Sequence, residues 1–214
     1  MTAHKHTFDW RRLQGSDEAI KWARRDLTSI DAILPLVAGR EMCVQAGGNL
    51  GVFPKYLSRH FQTVITFEPA ADLFPKLTAN APEANIVRLQ AALGDTQQLV
   101  STECHRRGDR GAVHEGLTHI AGEGRVPVLR LDDFKLPMCD LLMLDLEGFE
   151  LYALRGSVET IARCQPVVVV EINRNCGHYG IDPNDVRGFL AELGYVRGLT
   201  VYSDEVFIPN EVTQ

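Results

Sequence analysis

The residue types that can do chemistry gather in two places. Gly47, Gly48, Asn49 and Gly51 follow an apolar run, Met42 to Ala46, and precede a helical pattern. Glycines there let the backbone turn tightly and approach a ligand, and the helix start beyond them offers free N–H groups. Glu68 ends the next apolar run, about 20 residues after Gly47, the spacing at which a carboxylate accepts hydrogen bonds from ribose hydroxyls in doubly wound folds. The turn and Glu68 together point to an adenosine-type cofactor. As ordinary structure, the same residues are a strand-to-helix turn and a surface Glu capping a helix. Asn49 breaks the G-x-G-x-x-G string, which weighs against NAD. Gln45, Pro69, and Gln90 and Ala92 at the end of a third apolar run complete the cofactor-side positions, with Asp145.

The second place is Asp145, Glu147 and Glu150, after Leu141 to Leu144, followed by Glu171 after Val167 to Val170, and then His178. In open α/β sheets ligands bind beyond the carboxyl ends of strands, so these groups can face a substrate. Asp145, Glu147, Glu171 and His178 are the candidates to take a proton from a nucleophile. Asp145, Glu171 and Asn173 also admit Mg²⁺, whose hard-oxygen preference they match; the metal-free site is preferred and no metal ligand is assigned. The plainer reading of Glu147 and Glu150 is negative charge favoured at a helix N-terminus. His178, in Gly177-His178-Tyr179-Gly180, reads equally as exposed. His105, His114 and His119 read as loop residues, and Arg106, Arg107 and Arg110 as a solvated loop or an anion contact.

Short apolar runs alternating with helical stretches must position these groups: runs at 42–46, 64–67, 86–92, 141–144, 167–172 and 195–199, helices at 53–60, 73–80 and 184–193. This predicts an α/β fold, a doubly wound, mostly parallel seven-stranded sheet with helices on both faces. Val201 to Pro209 is expected as a last, antiparallel strand. Residues 1–214 read as one domain with an N-terminal helical extension at about 16–38, started by Ser16-Asp17-Glu18. An irregular or hairpin-bearing insertion is expected at about 97–125, where glycine, Arg and His break the periodicity.

Composition sets outer limits. An apolar share of 45% and a charged share of 23% are those of an ordinary globule. A formal charge of -6 opposes capture of nucleic acid. Five scattered cysteines without a CxxC pair suit a reducing compartment. No apolar stretch marks a signal peptide or membrane span, so a cytoplasmic location away from membranes is expected. The sequence leaves the oligomeric state open.

Four blocks in order carry a resemblance. Gly47-Gly48-Asn49-Leu50-Gly51 with Phe67-Glu68-Pro69, then Val126-Pro127-Val128 with Leu131-Asp132-Asp133-Phe134, then Asp145-Leu146-Glu147-Gly148-Phe149-Glu150 with Leu154-Arg155-Gly156, and finally Val170-Glu171-Ile172 resemble the FkbM family of O-methyltransferases. The resemblance implies a Rossmann-like methyltransferase fold, S-adenosylmethionine as cofactor, and a small-molecule hydroxyl acceptor on a sugar, polyketide or similar metabolite. Gln45 stands where such enzymes commonly carry an acid, so weaker cofactor binding is expected from the missing charge. A catalytically weak or inactive relative acting as an interaction module is therefore a second reading, and a nucleotide-cofactor oxidoreductase a third.

Overall fold

A computed structural model describes residues 9–106 and 113–210, with the side chains of 104–106 and 113–117 left out. Helix α1 (Asp17–Ile33) starts where Ser16 accepts a hydrogen bond from the Ala19 N–H, one of the donors a helix start leaves unpaired. It stops short of the expected end because Pro35, which cannot donate to a preceding turn, converts Leu34–Leu36 to a tighter 3-10 turn.

From there strands and helices alternate: β1 (Met42–Ala46), α2 (Val52–Leu57), β2 (Thr63–Phe67), α3 (Phe74–Asn80), β3 (Ile86–Leu89), β4 (Ala92–Leu93), β5 (Gln98–Arg106), β6 (Val113–Leu129), β7 (Leu141–Leu144), α4 (Glu150–Arg155), α5 (Val158–Cys164), β8 (Val167–Glu171), α6 (Pro183–Glu192), β9 (Tyr195–Val201) and β10 (Asp204–Pro209). The main sheet has seven strands in the order β3-β2-β1-β7-β8-β10-β9. Its pairs are parallel except those of β10, which runs antiparallel to both neighbours. The final strand begins later than expected, because Tyr202 and Ser203 form the turn that lets β10 slot between β8 and β9.

Neighbouring residues of the central strands bury into opposite layers. Leu142, Leu144, Val168 and Val170 join the core under α4 to α6, while Leu141, Met143, Val167 and Val169 join the one that α1 covers with Leu27, Ile30 and Ile33. Burial on both faces is why these strands read as unbroken apolar runs.

Two expectations change in form. The third run does not continue to Ala92: β3 ends at Leu89, and Ala92 and Leu93 instead pair with Val128 and Leu129 of β6. Of the two forms expected for 97–125, the chain takes the hairpin, β5 pairing antiparallel with β6 from Gln98↔Val128 to Arg106↔Val113 with register shifts. The Leu131-Asp132-Asp133 block serves architecture. Asp132 accepts from the Glu159 and Thr160 backbone N–H groups and the Thr160 hydroxyl, so it caps α5 from across the chain.

Candidate active site

The turn after β1 needs its glycines. Gly47 has φ +93 and Gly51 φ +81, where side chains are strained, and a Cβ on Gly47 would run into the backbone carbonyl of Asp145. A Cβ on Gly48 would meet Leu77 and Thr66, and one on Gly51 the backbone of Leu77. The turn is thus wedged among β2, β7 and α3. Gly47 and Gly48 both donate to the Phe67 carbonyl, at 3.1 and 2.8 Å.

Gln45 explains how the turn is held. It is fully buried, its amide donating to the Gly47 carbonyl at 2.8 Å and accepting from the Thr66 hydroxyl at 2.7 Å. It does not reach the cavity. An acid at this position would have no N–H for the Gly47 carbonyl, so we propose that Gln45 also serves packing. Gln45→Glu is expected to lower stability by about 1–3 kcal/mol, the cost of a buried acceptor left without its donor. Urea unfolding measures it, and an unchanged midpoint would contradict this role.

Glu68 is 4% exposed rather than a surface cap. One oxygen accepts from the Asn49 N–H at 2.7 Å and the other from the Ala70 N–H at 2.8 Å. Each oxygen keeps a lone pair for a further donor. Burial pushes its carboxyl up to about 7 against these two backbone donors.

Asp145 and Glu147 line the same cavity as Glu68, a cleft partly open to solvent that Gly47, Asn49, Pro69, Ala92 and Phe149 also line. Asp145, Glu147 and Glu171 each place a carboxylate oxygen within 4.8 Å of the other two. Glu147, at φ +53 and followed by Gly148 at φ +104, is presented by a left-handed turn. Asn175 donates to Glu147 at 2.5 Å, and Glu171 accepts from Asn173 at 2.7 Å and Ser203 at 2.8 Å. Among the described residues no Lys or Arg forms an ion pair with any of the three. Burial, with Glu171 and Glu150 beside it, pushes Glu147 up to about 8, and burial with Glu171 and Glu147 raises Asp145 far above the usual carboxylate range. Such neighbours cannot all ionise cheaply, so Asp145 and Glu147 hold protons near neutral pH. Glu150 is nearly fully buried and accepts from the Leu146 and Gly148 N–H groups, fixing the loop that carries Glu147.

The β5–β6 hairpin forms the roof, reaching the cavity with Thr118 and Ile120. Tyr179 latches it: its hydroxyl accepts from the Ile120 N–H and donates to the Ile120 carbonyl, both at 2.9 Å. The Tyr179 ring meets Phe149 at 5.1 Å, and Phe149 stacks on Tyr152 at 4.6 Å.

The structure therefore brings Gly47, Asn49, Glu68, Pro69, Ala92, Asp145 and Glu147 to one cavity, with Glu171 directly behind. Gly48 and Gly51 pack beneath the turn, and Gln90 is exposed outside the lining. His178 is exposed, its ring 5.5 Å from that of His119, and does not line the cavity. Asn173 donates to Glu171 and accepts from the Asn175 N–H. Residues 107–112, with Arg107 and Arg110, lie outside the described residues, as do the side chains of His105, Arg106 and His114. Phe149, Thr118, Ile120, Asn175 and Tyr179 went unnoticed in the sequence as site residues. Only the Gly-aromatic-acid string around Phe149 could have signalled one of them.

Comparison with known proteins adds to this geometry. The chain is 26% identical over 201 residues to the hexuronic acid methyltransferase AglP of Haloferax volcanii, covering 87% of this chain and 79% of that protein. It is 29% identical over 141 residues to methyltransferase 1 of Beauveria bassiana, covering 53% of this chain and 57% of that protein. Among solved structures it superposes on an FkbM methyltransferase from Methylobacillus flagellatus with a TM-score of 0.52 at 15% identity, covering 93% of this chain and 56% of that one. Magnesium protoporphyrin IX methyltransferase of Synechocystis PCC 6803, solved with SAM bound, superposes with a TM-score of 0.53 at 12% identity, over 94% of this chain and 89% of that one. No described helix is long and apolar enough to cross a membrane. The methyltransferase FkbM domain matches residues 46–197, spanning the glycine turn, the hairpin roof and the carboxylate cluster, and the chain belongs to that family of methyltransferases.

Proposed function

We propose that this methyltransferase moves a methyl group from S-adenosylmethionine to a hydroxyl of a sugar or similar small metabolite. The observation that carries the reading is that Glu68, Asp145 and Glu147 line one cavity together with the glycine turn. The residues fit that cofactor: Glu68 has lone pairs left for ribose hydroxyls, and Asp145 and Glu147 bring further oxygens to the same cavity for its polar groups. The sugar acceptor is supported by the name of the Haloferax relative.

S-Adenosylmethionine supplies an electrophilic methyl, and its sulfur keeps the electron pair of the broken bond. The protein's part is to hold the acceptor oxygen in line, exclude water and accept the hydroxyl proton. Alignment alone is worth roughly 7–11 kcal/mol in favourable cases. Glu147 in its ionised form is the base, a form that grows as pH rises toward about 8: it lines the cavity and Asn175 fixes one oxygen. Burial, with Glu171 and Glu150 beside it, sets that value. Phe149 and the hairpin roof close off solvent.

The same three carboxylates are a ligand set for a divalent cation, with Glu147 in place of Asn173. Calorimetry with S-adenosylhomocysteine, beside NAD, and methyl transfer to an accepted sugar with and without chelator test both readings. Tight S-adenosylhomocysteine binding and chelator-resistant turnover are expected. Preference for NAD overturns the donor, and activity lost in chelator and restored by Mg²⁺ overturns the metal-free base.

A further inference from the structure

A groove runs between α4 and α6, against the aromatic wall of the catalytic cavity. Tyr152 and Arg155 of α4 line it together with Asp185, Gly188 and Glu192 of α6, and with Tyr179. Steps of three and four positions put each helix's residues on one face. The wall is shared with the site described above. Phe149 lines the cavity, stacks on Tyr152 at 4.6 Å and meets the Tyr179 ring at 5.1 Å, while the Tyr179 hydroxyl bonds Ile120 of the cavity roof.

Nothing in the fold calls for a glycine at position 188. It lies inside α6 without a positive φ, exposed, and a Cβ there would meet nothing within 4 Å. Glycine inside a helix is less favourable than almost any other residue, so stability alone would place a side chain here. A ligand lying close against the helix supplies the reason, because only glycine leaves the backbone bare.

The groove's chemistry selects a neutral sugar ring. Tyr152 offers a half-buried aromatic ring to the C–H face of a pyranose, with the Arg155 guanidinium 5.9 Å from its centre to donate to hydroxyls. Asp185 uses one oxygen on the Asp182 N–H and keeps the other to accept from a hydroxyl, and Glu192 brings two more acceptors. One cation against two carboxylates gives an acidic ligand no advantage. Two sites that share a wall suit neighbouring units of one chain.

We propose that this groove holds a neutral sugar unit of the acceptor, next along a glycan from the unit that enters the cavity. This rests on the sugar-acceptor reading above and extends it from a single sugar to an oligosaccharide. The test is calorimetry of the full chain, saturated with S-adenosylhomocysteine, against cellotetraose and maltotetraose, with methyl β-glucoside and methyl α-glucoside as their single rings. Gly188→Leu and Arg155→Ala are measured alongside, with thermal melts. At least one tetraose is expected to bind roughly tenfold or more tightly than its single ring, and to lose that advantage in either variant. Gly188→Leu is expected to melt about 1–4 °C above wild type, since leucine is a good helix former with open space around it. A Gly188→Leu chain that melts lower shows that the fold itself uses the glycine, and overturns the groove. So does a tetraose bound no better than its single ring, or unaffected by both variants, which leaves the sugar reading standing. Binding of no sugar by a protein that holds S-adenosylhomocysteine overturns the groove and the sugar reading together. A tetraose held through Gly188 and Arg155 by a protein that ignores S-adenosylhomocysteine supports the groove and sinks the donor assignment instead.

Discussion

Glu147→Gln is expected to abolish most turnover while making the protein more heat-stable at pH 8. The carboxyl of Glu147 sits at about 8 in the fold against an ordinary 4.5. Between those values the folded chain holds a proton that the unfolded chain has lost, so stability falls as pH rises through this window. Glutamine cannot ionise, and its oxygen still accepts from Asn175, so the variant escapes the loss. Each kcal/mol recovered raises Tm by about 2–4 °C in a domain of this size. Removing a general base costs roughly 10²–10⁴ in kcat. Scanning calorimetry at pH 5 and pH 8 reads the first effect: the gain should be present at pH 8 and absent at pH 5. A variant that melts below wild type at pH 8 contradicts the buried-charge account, and unchanged kcat moves the base to Asp145.

Glu68→Gln is the second large effect, although the two side chains have the same shape. Both oxygens of Glu68 accept backbone N–H groups, from Asn49 and Ala70. A glutamine offers one oxygen and one NH₂, so one of those N–H groups would face another donor. A buried donor left unmatched costs about 1–3 kcal/mol. The N–H of Asn49 belongs to the glycine turn, so affinity for S-adenosylhomocysteine should drop at least about tenfold, the equivalent of 1.4 kcal/mol. With Glu68 at about 7, the wild-type carboxylate accepts best once ionised, so affinity should weaken as pH falls below about 7. The variant should show no such dependence. Titrations at pH 6 and 8 check both, and full affinity in Glu68→Gln would remove this residue from the site.

The parts legible in the sequence are those set by local pattern. Val64 to Phe67 and Val167 to Val170 read as strands because both faces are buried, and strand ends locate Glu68, Asp145 and Glu147 without knowledge of packing. What was not legible depends on partners far along the chain. The Ile120–Tyr179 contact spans 59 positions and the Asp132–Thr160 contact 28. The hairpin strands carry polar and small residues such as Gln98, Ser101, Thr102 and Gly122, so their pairing left little periodic trace. The contacts of Gln45 were hidden for a related reason: its hydroxyl partner, Thr66, lies in the neighbouring strand. His178 sits near the right strand end in sequence, yet the 3-10 turn Arg174–Tyr179 leaves it exposed and uses Asn175 and Tyr179 instead.

That six-residue turn joins two parts of the enzyme that the sequence keeps far apart. Its Asn175 grips the base, its Tyr179 grips the roof, and the backbone at Asn175 and Cys176 fills the space a Cβ on Gly148 would need. The hairpin and Glu147 therefore share a single hinge pin. A shift of the roof at Ile120 would pass through Tyr179 and Asn175 to Glu147, so the position of the hairpin and the setting of that carboxyl are expected to change together.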